Sequence, residues 1–319
     1  MSTLQRIVAA TDLAPASRHA VDRAAQLAHA HGVPLRLVHA LASSALDDLR
    51  RWIGDAPGVQ AVQDDLLGRL QALAAELQQR HGAQVEAQLL TGHAVKAITD
   101  LAEQIDAGLL VTGTRGVGFA RGVIVGSTAE RIAKRATRPV LMVRQSVHEP
   151  YRRVLVPVDF SPSSLAAVRL ADRMAPQATI VLMHGVDVPY EGRMRLAGVD
   201  TGTIDRYRSQ ARAEARHGLQ QLAARAGVSP LRLQLSVQEG ADAWMLVAQE
   251  EQERDIDLIV IGRQGRHAVD EMLLGSTTRM VLAECSADVL VSIHHAAEGG
   301  TQAMPAPHGA DVAGGPASA

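Results

Sequence analysis

The sequence is poor in aromatic residues: Phe, Trp and Tyr make up 2% of its 319 residues. Base-stacking platforms for single strands and aromatic cages for cations both need such rings, so neither is expected. Cysteine occurs once, as Cys285, which excludes an internal disulfide framework and fits a reducing, cytoplasmic setting. Charge of one sign is also missing. The formal net charge is −2 with 21% charged residues, so there is no basic field for nucleic acid and no acidic tail. No apolar run approaches the ~20 residues that span a bilayer, and no membrane partner is expected. The first residues run straight into a strand pattern and resemble no secretory signal. The P-loop pattern Gly-x4-Gly-Lys-Ser/Thr is absent. The thirteen histidines are scattered, without the Cys or carboxylate company a metal site needs. No general base pair stands out, and a non-enzymatic protein is expected.

What the sequence does contain is a glycine pattern that occurs twice. Gly113 and Gly116 are followed, after nine intervening residues, by Gly126, Ser127 and Thr128. Gly262 and Gly265 are followed at the same distance by Gly275, Ser276 and Thr277. Each copy follows an apolar, strand-like run (109–112 and 258–261) and precedes a helix-like segment. A strand feeding a Gly-rich loop that ends at a helix start is a place for phosphates. Glycine lets the backbone come close, and the free N–H groups and dipole of the helix start favour an anion. Ser127 and Ser276 suit the N-cap. One such pattern is weak and its recurrence is strong. The plainer alternative is that both loops are only tight turns.

The rest of the chain also reads twice. The segment 6–11 is a short buried strand ending at Asp12, and Pro15 opens a helix that Gly32 stops. Strand and helix patterns then alternate to a fifth strand at 139–143. After a polar connection at 144–152 the series restarts, with 154–158 and Asp159 parallel to 7–11 and Asp12. The expected domains are residues 1–146 and 152–294, with 295–319 a disordered Ala/Gly/Pro-rich tail. Strands alternating with helices imply α/β architecture, a parallel sheet wrapped on both faces. Ligands bind such sheets past the carboxyl ends of the strands, where strand order reverses. Asp12 and Asp159 end strand one, and the glycine loops end strand four. If those strands flank the reversal, each Asp faces its loop and can accept a ribose hydroxyl or an adenine amino proton. Its alternative role is to cap the next helix. His39 and His184 recur at one strand position and read as core or rim residues.

These features, with the spacing Gly-x2-Gly-x9-Gly-Ser/Thr, the start Asp159, Phe160, Ser161 and the strand end Val38, His39, resemble the universal stress protein family. The resemblance covers nearly the whole chain as two tandem copies. It implies two doubly wound five-stranded parallel sheets, strand order 3-2-1-4-5, flanked by helices. It further implies an ATP-binding, stress-response regulatory protein with one adenine-nucleotide pocket per domain, with or without Mg2+. On the phosphate side it points to Gly113, Gly116, Gly126, Ser127, Thr128, Gly262, Gly265, Gly275, Ser276 and Thr277. On the adenosine side it points to Ala10, Thr11, Asp12 and Ala40, and to Pro157, Val158, Asp159 and Gly185. Family members pair through the last strand, so an intramolecular pseudo-dimer of the two domains is expected, and a homodimer of chains is open. Other readings are a scaffold or sensor with degenerate or non-nucleotide pockets, and a weak ATPase or autophosphorylating protein. Three departures stand out: Gly108 where the second half has Asp257, Asp288 where the first has Pro139, and Thr112 at an ordinarily apolar position.

Overall fold

The structure, a computed structural model, describes residues 4–44, 51, 57–114, 126–187, 191–265 and 273–294. The tail 295–319 and Gly116 lie outside the described residues. The chain divides into two compact units. Unit 1 is chiefly Met1–Pro150 with Leu282–Ile293, and unit 2 chiefly Tyr151–Glu271 with Gly275–Val281.

In unit 1, β1 (Ile7–Ala10), β2 (Leu35–Leu41), β3 (Val85–Thr91), β4 (Leu109–Gly113) and β5 (Val140–Val143) alternate, among the described residues, with helices. These are α1 (Arg18–His31), α2 (Pro57–His81), α3 (Ala94–Gln104) and α4 (Ser127–Arg135). The strands are parallel, in the order β3-β2-β1-β4-β5. Every residue of β1 and of β5 is buried, because a strand covered on both faces needs apolar side chains at every position. Helix α1 buries a run of small residues, Ala20, Val21, Ala24, Ala25 and Ala28. Gly32 ends it at φ 63°, with its N–H on the carbonyls of Ala28 and His29, the left-handed stop that glycine adopts readily. The start is later than the sequence suggests. Pro15–Ser17 is a single 3-10 turn and α1 begins at Arg18. Leu13 sits at φ 62°, a left-handed residue that cannot belong to a continuous helix.

In unit 2, β6 (Arg153–Pro157), α5 (Pro162–Met174), β7 (Thr179–Val186), α6 (Glu191–Leu196) and α7 (Thr201–Ala226) repeat the plan. Then come β8 (Leu233–Glu239), α8 (Ala243–Glu253), β9 (Leu258–Gly262) and α9 (Ser276–Glu284). Its strands lie parallel in the order β9-β6-β7-β8. The expected order therefore holds for the first repeat and for the first four strands of the second. The second repeat's fifth strand, β10 (Asp288–Ser292), groups with unit 1, antiparallel to β5, with Leu290 opposite Leu141. Unit 1 thus holds the five parallel strands expected of the first repeat and, antiparallel at their edge, the last strand of the second, the pairing of last strands that was expected. The physical reason is the edge: β5 is a run of four buried apolar residues, and such an edge left bare invites unwanted pairing.

The two departures in packing are absorbed by specific contacts. Asp288 is fully buried and accepts from the N–H groups of Arg144, at 2.7 Å, and Gln145, at 3.1 Å. The Arg23 guanidinium, itself buried, lies 3.5 Å from the other carboxylate oxygen. Arg144 donates to the carbonyls of Leu282 and Cys285, at the end of α9, and Cys285 is buried as a free thiol. Asp257 accepts from the N–H groups of Arg152 and Arg153, at 2.7 and 3.1 Å. At the matching Gly108 the chain itself takes the space: a Cβ there would lie 3.2 Å from the Cα of Leu4.

Candidate functional site

Each unit brings the end of its first strand next to the end of its fourth. In unit 1, β1 lies between β2 and β4, with Ala10 opposite Val38 and Thr112. That is where strand order reverses, the ligand end of such a sheet. Ala10, Thr11 and Thr112 are buried, and Asp12 and Gly113 are half-buried. In unit 2, β6 lies between β7 and β9, which places Pro157, Val158 and Asp159 beside Gly262.

The second loop is described as far as Gly265, and its geometry is tight. A Cβ on Gly265 would lie 3.0 Å from Oδ2 of Asp159, and one on Gly262 would lie 3.0 Å from the Cβ of Ser163. The strand-one Asp and the glycine loop therefore meet, as the topology argument requires. Gly275 closes the loop, its N–H donating to the Arg263 carbonyl at 2.9 Å. Thr278 ties the helix to the strand, its Oγ1 donating to the Gly262 carbonyl at 2.8 Å. In unit 1 the Gly126 N–H closes the loop in the same way on the Thr114 carbonyl, at 2.7 Å, and the place of Thr278 is taken by Ala129. Because Gly126 and Gly275 spend their N–H groups on the loop, the donors left facing an anion are those of the following helical turn. That turn carries Ser127 and Thr128 in α4, and Ser276 and Thr277 in α9.

Ser127 does not act as the N-cap. Gly126 holds that position, at φ −69° and ψ 141°, with no side-chain cap, and Ser127 is the first helical residue with its side chain exposed. Ser276 likewise opens α9 and is exposed. The Ser127 hydroxyl is thus outside the protein's own capping, and both serines are exposed. Thr112, buried, turns its hydroxyl to the Gly113 carbonyl at 3.2 Å. Gly185, expected on the adenosine side, is fixed by packing: a Cβ there would lie 2.8 Å from Cδ1 of Leu246. Ala40, its counterpart in β2, is half-buried.

The asparagine-like turn after strand one is held differently in the two units. Asp12 Oδ1 accepts from the Ala14 N–H at 3.0 Å. Thr11 Oγ1 shares a 2.8 Å hydrogen bond with Ser17 Oγ and accepts from the Leu13 N–H at 3.0 Å. In unit 2, Oδ1 of Asp159 accepts from the Ser161 N–H at 3.0 Å, from Ser161 Oγ at 2.5 Å and from Ser164 Oγ at 2.6 Å. Ser161 also caps α5 by accepting from the Ser164 N–H. The hydroxyls of Ser17, Ser161 and Ser164 were not singled out as site residues, although the Asp-x-Ser-x-x-Ser spacing carried the signal.

Two more residues were missed as parts of the site. Nδ1 of His39 lies 2.8 Å from the Thr11 carbonyl, and Nδ1 of His184 lies 2.6 Å from the Val158 carbonyl. A backbone carbonyl can only accept, so Nδ1 carries the proton in both rings. Each histidine thus pins the peptide immediately before the Asp. Their recurrence at one strand position was the signal, and nothing in periodicity shows which way a ring turns. Among the described residues, no group of three or more His, Cys, Asp or Glu is placed to hold a metal ion, and no helix is long and apolar enough to cross a membrane.

Comparison with known proteins agrees with this architecture. The model of the universal stress protein family matches residues 3–144 and again 150–292. Universal stress protein Rv2623 of Mycobacterium tuberculosis is 27% identical over 302 residues, covering 90% of this chain and 95% of its own length. Universal stress protein MT2052 of the same species is 25% identical over 312 residues, covering 90% and 94%. Among solved structures, a universal stress protein from Archaeoglobus fulgidus superposes with a TM-score of 0.64 at 15% identity, covering 90% of this chain and 98% of its own. One from Pseudomonas aeruginosa gives 0.60 at 19% identity, covering 91% and 93%. Two matching segments, two glycine loops and two strand-one Asp turns lead to one statement: the chain belongs to the universal stress protein family, as two tandem copies of its domain.

Proposed function

We propose that this protein is a stress-response regulator that binds an adenine nucleotide, ATP with or without Mg2+, in one pocket per repeat. It acts in the cytoplasm through occupancy of those pockets and without steady turnover of the nucleotide. The observation that carries the reading is Gly275. At Gly262 and Gly265 the protein's own atoms already crowd a Cβ, at 3.0 Å from the Cβ of Ser163 and from Oδ2 of Asp159. At Gly275 a Cβ would meet nothing nearer than 3.6 Å among the described residues, and the backbone is outside the left-handed region. Nothing among the described residues requires glycine there. A phosphate drawn against the backbone at a helix start does, because a side chain would stand in its way. The antiparallel β5–β10 pair, one strand from each repeat, supports reading the tandem as a built-in pair of domains.

Calorimetric titration of the full chain with ATP and Mg2+ tests this, and a stoichiometry near two is expected. Gly275→Val should weaken the second site at least tenfold, about 1.4 kcal/mol, and leave the first site and the melting temperature unchanged. Gly126→Val should do the reverse, because its φ of −69° and ψ of 141° suit any residue. If both variants bind as the parent does, the loops are only turns and the nucleotide reading fails.

A further inference from the structure

The peptide between Val158 and Asp159 is held at both ends. Like the other peptides of the described residues it is trans, so its carbonyl and its N–H point in opposite directions. The carbonyl accepts from Nδ1 of His184 at 2.6 Å. On the other side the Asp159 N–H donates to Oγ of Ser164 at 3.0 Å. That hydroxyl donates in turn to Oδ1 of the same Asp159, at 2.6 Å, which closes a ring from the backbone to the carboxylate. His184 comes from β7 and lies against the buried Phe160 ring, 4.5 Å between centres. Ser164 is buried in the first turn of α5. With Oδ1 filled by Ser161 and Ser164, the oxygen turned to the glycine loop is Oδ2, 3.0 Å from where a Cβ on Gly265 would stand. The first repeat keeps the histidine, with Nδ1 of His39 2.8 Å from the Thr11 carbonyl. Its serine, however, is engaged away from Asp12: Ser17 shares a hydrogen bond with the Thr11 hydroxyl and donates to the Ala14 carbonyl.

We propose that His184 and Ser164 are positioning residues of the second nucleotide site. They act through Asp159 and not on the ligand, by setting the direction in which Oδ2 is presented to a donor on the nucleotide. The inference rests on the nucleotide reading and deepens it. A carboxylate on a loose turn gives up torsional freedom when it accepts a ligand's hydrogen bond, and one fixed beforehand does not. The ring through Ser164 fixes the side chain of Asp159 to its own backbone, and His184 fixes that backbone to β7. Hydrogen bonds joined in series also polarise one another, so the loss of the His184 donor is felt at the carboxylate. The second repeat is the one that can close this ring, because Val158 carries no hydroxyl to compete for Ser164 as Thr11 does for Ser17.

The test is calorimetric titration of the full chain with ATP and Mg2+ in the Gly126→Val background, where the second site reports. His184→Phe keeps a ring against Phe160 and removes the donor. It should weaken that site by roughly threefold to tenfold, the usual worth of one hydrogen bond, and Ser164→Ala should do the same. His184→Asn, whose side-chain N–H can stand in for the Nδ1 proton, should recover most of the loss, which a merely structural role would not allow. A residue that acts through Asp159 has nothing left to act on once that carboxylate is gone. In the Asp159→Asn background His184→Phe should therefore change the affinity by less than about twofold. The proposal is overturned if His184→Phe binds ATP as the background does, or if His184→Asn is no better than His184→Phe. A loss equally large in the Asp159→Asn background overturns it too. No ATP binding by Gly126→Val itself would overturn the nucleotide reading, and this proposal with it.

Discussion

The turn after the first strand is the same backbone twice and two different sets of side chains. Thr11, Asp12, Leu13 and Ala14 in the first repeat correspond in sequence to Val158, Asp159, Phe160 and Ser161 in the second. In the first, the serine on the next helix is taken up by Thr11. In the second there is no hydroxyl on Val158, and the matching Ser164 turns to Asp159 instead. One side chain moved between partners alters what the carboxylate has left to offer: Oδ1 of Asp159 is saturated by three donors within the turn. The left-handed residue, the histidine on the strand-end carbonyl and the loop-closing glycine are kept in both. The comparison separates what the fold needs at this position from what each repeat is free to change, and the predictions that follow change one repeat toward the other.

The largest effect belongs to the start of the last strand, Pro139 in the first repeat and Asp288 in the second. Asp288 is fully buried beside a buried Arg23, and removal of one partner of a buried pair leaves a charge without compensation. Asp288→Leu is expected to cost about 3–5 kcal/mol in urea denaturation. Arg23 also donates to Gln26 and to the Glu149 carbonyl, so these contacts do not replace the lost countercharge. The double variant Arg23→Leu with Asp288→Leu should recover much of the loss, since it removes both charges. Equal destabilisation of the single and double variants would show that Asp288 serves the N–H groups of Arg144 and Gln145 and not the pair.

Much of this was legible in the sequence, for physical reasons that differ by feature. The parallel α/β plan was legible because strands buried on both faces, such as Ile7–Ala10 and Val140–Val143, are apolar at every position. The meeting of Asp159 with Gly265 was legible because strand order alone sets which strand ends are neighbours. The direction of side chains was not. That His39 and His184 turn to strand-end carbonyls, or that Ser164 serves Asp159 while Ser17 serves Thr11, depends on torsions no periodicity encodes. The β5–β10 pair followed from the bare apolar edges that two last strands present and from the family resemblance, although long-range pairing of short strands leaves no local mark of its own. Nor did the pattern show that Gly126 would take the cap position expected of Ser127, since the two positions differ by one residue at a helix end.

A middle-sized effect sharpens the turn comparison itself. Ser161→Ala gives the second repeat the residue that the first already has, Ala14. The change removes the hydroxyl that caps α5 on the Ser164 N–H and one of the donors to Asp159. Loss of a serine N-cap costs about 1 kcal/mol, to be read from the denaturation midpoint. The reverse change, Ala14→Ser, should yield less, because α1 begins three residues further along than α5 does relative to the Asp, after the 3-10 turn. Equal and opposite changes would mean that the two turns are interchangeable after all.

The smallest effect depends on pH. In the first repeat Glu76 on α2 receives a hydrogen bond from the Arg18 guanidinium, which holds its carboxyl below the ordinary carboxylate range, and Arg80 adds to this. The same count back from the helix-ending glycine falls, in the second repeat, on neutral Gln221, which is bonded to His217. A carboxyl that is more acidic in the folded chain than in the unfolded one stabilises the fold above its unfolded pKa, about 4.3. That contribution fades as pH falls through the lower, folded value. Glu76 is 40% exposed, so solvent screens the pair and its worth is at most roughly 1 kcal/mol. Glu76→Gln, which copies the second repeat, should therefore be slightly less stable than the parent near neutral pH. The gap should close as the pH is lowered past the carboxylate range, and it should shrink with added salt. A gap that stays constant from neutral to acid pH would assign the loss to packing of the side chain along α2 and not to its charge.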